Sequence, residues 1–284
     1  MAVRTTNSML INNMLNYMGE NIYKLGKQED KLATGKKIQV PSDDPIIAAR
    51  ALKLRTDVSE IGQFKRNTED AKSWLDMTEE ALRNLGEALK RARELAVQAA
   101  NEVNSANELN SIKSEVEQLR KQCISLSNST YAGRNLFSGF NTDKPLLDDN
   151  GKFNIDIGAT EQIIYKIGVG DSINVNVIGT DLFNNGVDAV VGDESNFIKV
   201  FDDFLDYLSS GDNNSCGTVI GEVDKLHVNL LRVSADVGAR TNRVELTGNR
   251  LDGDHVNFTK LMSQNEDADM AEVIMNLKNE ENVY

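Results

Sequence analysis

The side chains able to do chemistry are few and poorly spaced for it. His227 and His255 are the only histidines among 284 residues, and neither belongs to a two-histidine zinc spacing. His227 neighbours an apolar position, Leu226, and reads as a packed or half-exposed helix residue. Asp252, Asp254 and His255 fall together in LDGDHV. The carboxylates of an EF-hand loop are missing there, so the three read as a solvated helix face. DDNG at Asp148 to Gly151 resembles a fragment of a calcium loop, but a turn explains it fully. GVG at Gly168 to Gly170 lacks the spacing of a phosphate loop, and no helix starts there to cradle an anion. Asp43 and Asp44 could form an acid–base pair; their place just before a helix start assigns them to its exposed N–H groups instead. No serine lies in a nucleophile elbow. Cys123 and Cys216 form neither a metal-type pair nor a framework of bridges, and Cys123 reads as a buried thiol on an apolar helix position. These residues predict no catalytic, cofactor or metal site.

Composition points the same way. Aromatic residues make up 6% of the chain, with one Trp, which argues against a large aromatic-lined pocket. Three prolines, two of them at Pro41 and Pro45, suit long uninterrupted helices. The net charge of -13 argues against a nucleic-acid binder, which needs a basic patch, and against docking on anionic lipid. No apolar run approaches a membrane span. The N-terminal stretch MAVRTTNSMLINNML has one Arg and is broken by Asn, so no cleavable signal peptide is expected.

The elements that carry these residues are mostly helices with apolar seams. Ile11, Leu15, Met18, Ile22 and Leu25 step by fours and threes; Glu29 breaks the series and Leu32 resumes it. Gly35 is placed to end that helix. Asp44 and Pro45 read as N-cap and first residue of the next. Its stripe runs Ile47, Ala51, Leu54, Val58, Ile61 and on through Leu75, Leu82, Leu85 and Leu89 to Ala99. At about 58 residues it would span roughly 90 Å. Ser105 with Glu108 forms a capping box for a third helix, with Leu109, Ile112, Val116, Leu119, Cys123 and Leu126 on one face. From about Phe140 the composition changes. KFNIDI reads as a strand, EQIIYKI and SINVNVI as a hairpin joined by GVGD, and a short helix follows from about Ser195 to Leu208, closed by Gly211. Heptads return at Val219, Val223, Leu226, Leu230, Val233 and Val237 and keep phase through Val244, Leu251, Phe258 and Leu261. Asp269 with Glu272 then opens a terminal helix with Met270, Val273, Ile274, Leu277 and Tyr284 along one side.

The pattern predicts a mainly α fold with a small β-rich insert: a long antiparallel helical bundle with a β-containing tip domain. The expected divisions are residues 1–40 as an N-terminal assembly helix, 41–139 as the first part of the bundle, 140–212 as the insert, 213–265 as the return helix and 266–284 as a C-terminal assembly helix. The segments Leu54 to Leu89, Leu109 to Leu126 and Val219 to Leu261 are expected to share one core. An amphipathic helix as short as the last is marginal alone in water, so Ile11 to Leu32 is its natural partner.

Several stretches resemble one family. LATGKKIQVPSDDPIIAARAL at Leu32 to Leu52 looks like the start of hook-associated protein 3, of the flagellin superfamily, and PSDDP is more typical of it than of flagellin. RARELAVQAAN at Arg91 to Asn101 is shared with flagellin. YAGRNLFSGFNTDKP at Tyr131 to Pro145 resembles the junction between bundle and insert. VGARTNRVE at Val237 to Glu245 and DMAEVIMNLKNEENVY complete the match. Together they cover nearly the whole chain except the insert.

The resemblance implies a structural subunit at the join of flagellar hook and filament, located outside the cell and exported by the flagellar type III apparatus. The implied partners are copies of itself in a ring, another hook-associated protein, flagellin, and an export chaperone that grips the C-terminal helix; nucleic acid and membrane insertion are not among them. The terminal segments of such proteins pair and pack against neighbouring subunits. That gives Ile11, Leu15, Met18, Ile22, Leu25, Leu32, Met270, Val273, Ile274, Leu277 and Tyr284 as interface residues, with frayed ends expected in a free monomer. Arg91 and Leu95 match positions that flagellins use for subunit packing and for recognition by an innate immune receptor; Arg91 is expected on a solvated face and Leu95 at the rim of the core. The family's chain normally continues past ENVY, so this one is expected to be trimmed, which puts its own polymerisation in question. Flagellin itself is the competing reading. A long-helix adhesin or translocator is a third.

Overall fold

A computed structural model describes residues 7–100, 106–211 and 213–283. Their helices are α1 (Asn7–Thr34), α2 (Pro45–Ala99), α3 (Ala106–Ser127), α4 (Gly179–Phe183), α5 (Asn196–Ser210), α6 (Asn213–Glu266) and α7 (Met270–Val283). The strands are β1 (Thr130–Tyr131), β2 (Arg134–Asn135), β3 (Ile164–Gly168) and β4 (Asp171–Asn174). The fold is mainly α with a small β-rich insert, as expected. The proposed cap at Ser105 lies outside the described residues. The chain divides into two compact units, 64–250 and 1–63 with 251–284.

In the 64–250 unit the seams of α2, α3 and α6 close on one another. Leu75, Leu82, Leu85 and Leu89 of α2 share a core with Ile112, Val116 and Cys123 of α3 and with Val219, Val223, Leu230, Val237 and Val244 of α6. Heptad spacing keeps each stripe facing its neighbours along two long helices. Gly86 permits a close approach: a Cβ there would lie 3.1 Å from Leu230 Cδ2. The shared core is shorter than the sequence suggested. Leu54 is only half-buried and Leu261 is exposed, and both lie in the other unit.

The insert is not a separate domain. Phe153, Ile155, Ile157, Ile167, Ile173 and Val175 belong to the same core as the helices, so the expected boundaries at 140 and 212 do not divide the chain. Phe137, Phe183, Phe197 and Phe201 form a run of rings, with successive centroids 5.9, 5.3 and 6.0 Å apart. Large apolar rings supply burial that so few strands cannot. α5 turns Phe197, Ile198, Phe201, Phe204 and Leu208 inward and ends at Gly211, whose φ is 69°, the left-handed conformation that glycine adopts without strain.

The β3–β4 hairpin forms as expected but is short. It is antiparallel, pairing Ile164 with Asn174 and Tyr165 with Ile173. Beyond Asn174 an asparagine side chain takes over part of the ladder: Asn176 Oδ1 accepts from the Ile163 N–H at 2.8 Å and its Nδ2 donates to the Glu161 carbonyl at 2.9 Å. KFNIDI shows the alternation of a strand, with Phe153, Ile155 and Ile157 buried and Asn154 and Asp156 exposed. It makes only isolated bridges, among them Ile157 with Ala189.

In the other unit α1 lies against α7. Gly35, at φ 67°, ends α1 with its N–H on the Lys31 carbonyl at 2.8 Å. Asp44 caps α2 as the sequence indicated, its Oδ1 accepting from Ile46 and Ile47 N–H at 2.9 and 3.0 Å. Asp269 caps α7 through Ala271 and Glu272 N–H at 2.9 and 3.3 Å.

Candidate assembly interface

Along α1, every described side chain from Ser8 to Glu20 is exposed. Ile11, Leu15 and Met18 are among them, Leu15 at 60%, and Ile22 just beyond is exposed as well. A run of large apolar groups left in water is unusual for a finished surface. Further along the helix Leu25 and Leu32 are half-buried. On α7, Val273 is buried, Leu277 half-buried, and Met270 and Ile274 exposed. The structure therefore brings the C-terminal half of the α1 stripe to α7 and leaves the N-terminal half open. Tyr284 lies outside the described residues.

The two remaining candidates belong to the 64–250 unit. Arg91 is exposed and held by two carboxylates, Glu115 at 2.6 Å and Glu94 at 2.9 Å. These pairs, Glu115 first, raise its pKa above the ordinary value. Leu95 is 2% exposed, so the structure corrects its expected place at the rim: it is enclosed in the core and offers no surface to a partner.

A charged cluster that the sequence did not single out joins the ends of α1 and α6. Glu266, the last residue of α6, is buried. Arg55 of α2 grips it with a fork, Nε to Oε1 at 2.7 Å and Nη2 to Oε2 at 2.6 Å. Lys36 Nζ lies 3.5 Å from Glu266 and 2.5 Å from Asp267 Oδ1. Ser263 Oγ donates to the other oxygen of Asp267. The Arg55 guanidinium holds the Glu266 carboxyl below its ordinary range, and Lys36 does the same for Asp267. The backbone is sewn here as well: Lys37 N–H donates to the Glu266 carbonyl at 2.7 Å and Ala268 N–H to the Gly35 carbonyl at 2.8 Å. The only hint in the sequence is opposite charge, GKK after one helix and NEDAD after another.

Beside this cluster a groove of about 570 Å³ is lined by Tyr23, Lys27, Ile38, Asp43, Ile47 and Val273 among others. Lys27 pairs with Asp43 at 2.8 Å; that contact and the N–H groups of Val40 and Gln39 lower the Asp43 pKa. Lining groups of both signs beside apolar ones suit packing against protein better than binding a small molecule.

The residues considered for chemistry stay apart. His227 and His255 are half-exposed on α6. Asp148 Oδ1 accepts from Asn150 and Lys152 N–H at 2.9 and 2.8 Å, as a turn requires. Among the described residues no group of three His, Cys, Asp or Glu is arranged to hold a metal ion, and no helix is long and apolar enough to cross a membrane.

Comparison with known proteins places this arrangement in a lineage. Residues 5–142 match the family described as the bacterial flagellin N-terminal helical region. Flagellin of Bacillus subtilis strain 168 is 30% identical over 281 residues, covering 95% of this chain and 88% of that protein. Flagellar hook-associated protein 3 of Escherichia coli strain K12 is 25% identical over 238 residues, covering 77% and 74%. The chain spans 43% of the length of the Salmonella dublin flagellin that it also matches, at 32% identity. Among solved structures, a putative flagellar hook-associated protein from Vibrio parahaemolyticus superposes with a TM-score of 0.68 at 19% identity, over 79% of this chain and all of that one. The chain belongs to the flagellin family, the structural proteins of the bacterial flagellum.

Proposed function

We propose that this protein is the subunit that joins the flagellar hook to the filament, and that it assembles through α1 and α7. The observation that carries the assembly reading is the open apolar stripe at Ile11, Leu15 and Ile22, each more than half exposed. Covering such a stripe returns about 25 cal/mol for each Å² of apolar surface removed from water. Copies of the same chain in a ring, another hook-associated protein and flagellin are the partners that would supply the cover. Export through the flagellar type III apparatus, with a chaperone on α7, belongs to the same reading.

The choice of junction over filament rests on PSDDP at Pro41 to Pro45 and on the fold shared with the Vibrio hook-associated protein. The filament reading is favoured by a different observation, the identity to Bacillus subtilis flagellin over nearly the whole chain. Deleting the gene separates the two. Loss of a junction protein leaves hooks that bear no filament, with flagellin free in the medium. Loss of the filament subunit leaves hook-associated proteins in place and no flagellin to leak; that outcome would overturn the junction assignment.

A further inference from the structure

We infer that Glu266 is the positioning residue of the terminal helix pair: gripped by Arg55 and Lys36, it fixes the α6–α7 turn against the Gly35–Lys37 segment and so sets the register in which α1 and α7 meet.

Three stretches distant in sequence converge on one side chain. The segment that follows α1 contributes Lys36, the third turn or so of α2 contributes Arg55, and the end of α6 contributes Glu266 itself. Around it Lys37 Nζ donates to the Gln264 carbonyl at 3.0 Å, covering an acceptor left open at the end of α6. Asn265 Nδ2 donates to the Ile47 carbonyl at 3.2 Å. Lys36 and Asp267 form an antiparallel bridge. A slip of one residue between these segments would break both backbone bonds and pull the carboxylate out of the fork.

Chemistry explains why a carboxylate stands here. Burying an ion pair adds little stability over a well-packed apolar residue. It is selective, because a buried carboxylate left without its partners is disfavoured. A guanidinium fork accepts a carboxylate in one plane and one orientation. An apolar residue at position 266 would tolerate several registers equally well. Three residues separate the end of α6 from the start of α7, with Asp269 as its cap, so fixing Glu266 fixes where α7 begins. Through α7 it also fixes which residues of the α1 stripe stay open. This last step rests on the reading of α1 and α7 as assembly helices.

Hydrogen exchange on the full-length protein tests the inference. Glu266→Gln keeps the shape and removes the charge. It is expected to speed exchange in the peptides covering Leu25–Ile38 and Asp267–Val283 by about tenfold or more, since a hydrogen bond to a charged group is lost. Peptides from Ala71–Ala99 are expected to keep their protection. Arg55→Lys separates positioning from simple charge balance. It preserves the positive charge and removes the fork, and it is expected to loosen the same two segments nearly as much as Arg55→Met. Protection of both segments at the level of the unaltered protein in Glu266→Gln, full rescue by Arg55→Lys, or loosening spread evenly into Ala71–Ala99 would each overturn the inference. Incorporation at the hook is scored separately. Loosened helices with normal incorporation support the clasp and count against the assembly reading.

Discussion

Arg120 of α3 reaches Asp202 of α5 with a fork, Nε to Oδ1 at 2.6 Å and Nη2 to Oδ2 at 3.2 Å, while Nη2 also donates to the Asn150 carbonyl at 2.7 Å. One side chain thus ties a bundle helix to both a helix and a turn of the insert. Arg120 is largely covered, Asp202 about half exposed. Arg120→Ala removes these bonds together and is expected to lower stability by about 1–3 kcal/mol. Arg120→Lys should recover only part of this, because an ammonium cannot serve carboxylate and carbonyl in fork geometry. Urea unfolding followed by circular dichroism measures both. A loss for Arg120→Ala below about 0.5 kcal/mol would show that this tie contributes nothing.

Two turn glycines should respond unequally to alanine. Gly151 has φ 82°, and a Cβ there would lie 2.5 Å from Ile198 Cγ2. Gly133 has φ 78° with nothing within 4 Å. Left-handed backbone costs about 1–2 kcal/mol for a residue with a Cβ, and overpacking adds about 1–3 kcal/mol. Gly151→Ala should therefore lower the thermal midpoint clearly further than Gly133→Ala. Equal shifts would mean that the contact with Ile198 relaxes freely.

The parts legible in the sequence are those fixed by local periodicity. Heptads place α2 and α6 because the repeat persists for many turns, and caps such as Asp44 and Gly211 use side-chain chemistry that marks itself. The β1–β2 hairpin was invisible because each strand is only two residues long and its turn sets Gly133 beside Ala132, at φ 50°, where Gly or Asn is usual. KFNIDI shows which of its side chains are buried but not what its backbone pairs with. Glu266 was missed for a related reason. A glutamate in an acidic run at a helix end reads as solvated, and its partner Arg55 lies 211 positions away. Leu95 carries a different lesson: it was expected at the rim, and it is buried together with its stripe neighbours Ala92, Ala96 and Ala99.

Cys123 should be inert in the folded protein. Its thiol is fully buried, and desolvation pushes its pKa up to about 12. The thiolate is the reactive form, so at pH 8 iodoacetamide should not label it. Cys216, also buried, should behave alike. Mass spectrometry is expected to find no adduct on the native protein and two after guanidinium denaturation. Adduct formation at Cys123 faster than global unfolding would contradict its enclosure.

Acid should loosen the α1–α7 region selectively. The folded pKa values of Glu266 and Asp267 lie below 4.5 and 3.8, their ordinary values, because of Arg55 and Lys36. A depressed carboxylate stabilises the fold above its ordinary pKa, and that contribution disappears as pH falls through the folded value. Lys36 is raised above 10.5 by Asp267, so its contribution is full below that value and is lost at higher pH. The region should be firm between these limits and weaken below pH 4. Labelled methionine methyl groups report it: Met262, Met270 and Met275 are expected to shift on acidification before Met77 of α2. Simultaneous shifts would mean that the charge cluster does not control local order.

The open stripe makes the sharpest separation between stability and function. Ile11, Leu15 and Ile22 are each more than half exposed, so replacing all three with Asn removes little burial from the isolated chain. Surface changes of this kind usually fall within about 0.5 kcal/mol each, and the unfolding of residues 64–250 should be unaltered. If these side chains are covered on assembly, their loss removes about 1.5–3 kcal/mol of burial for each one fully enclosed. Incorporation into flagella, scored by electron microscopy of the labelled protein in the deletion strain, should then drop by far more than tenfold. Substitution at Met9, exposed on the same helix but on the face away from Ile11, should matter less. Normal incorporation of the triple variant would show that this stripe is not where neighbouring molecules pack.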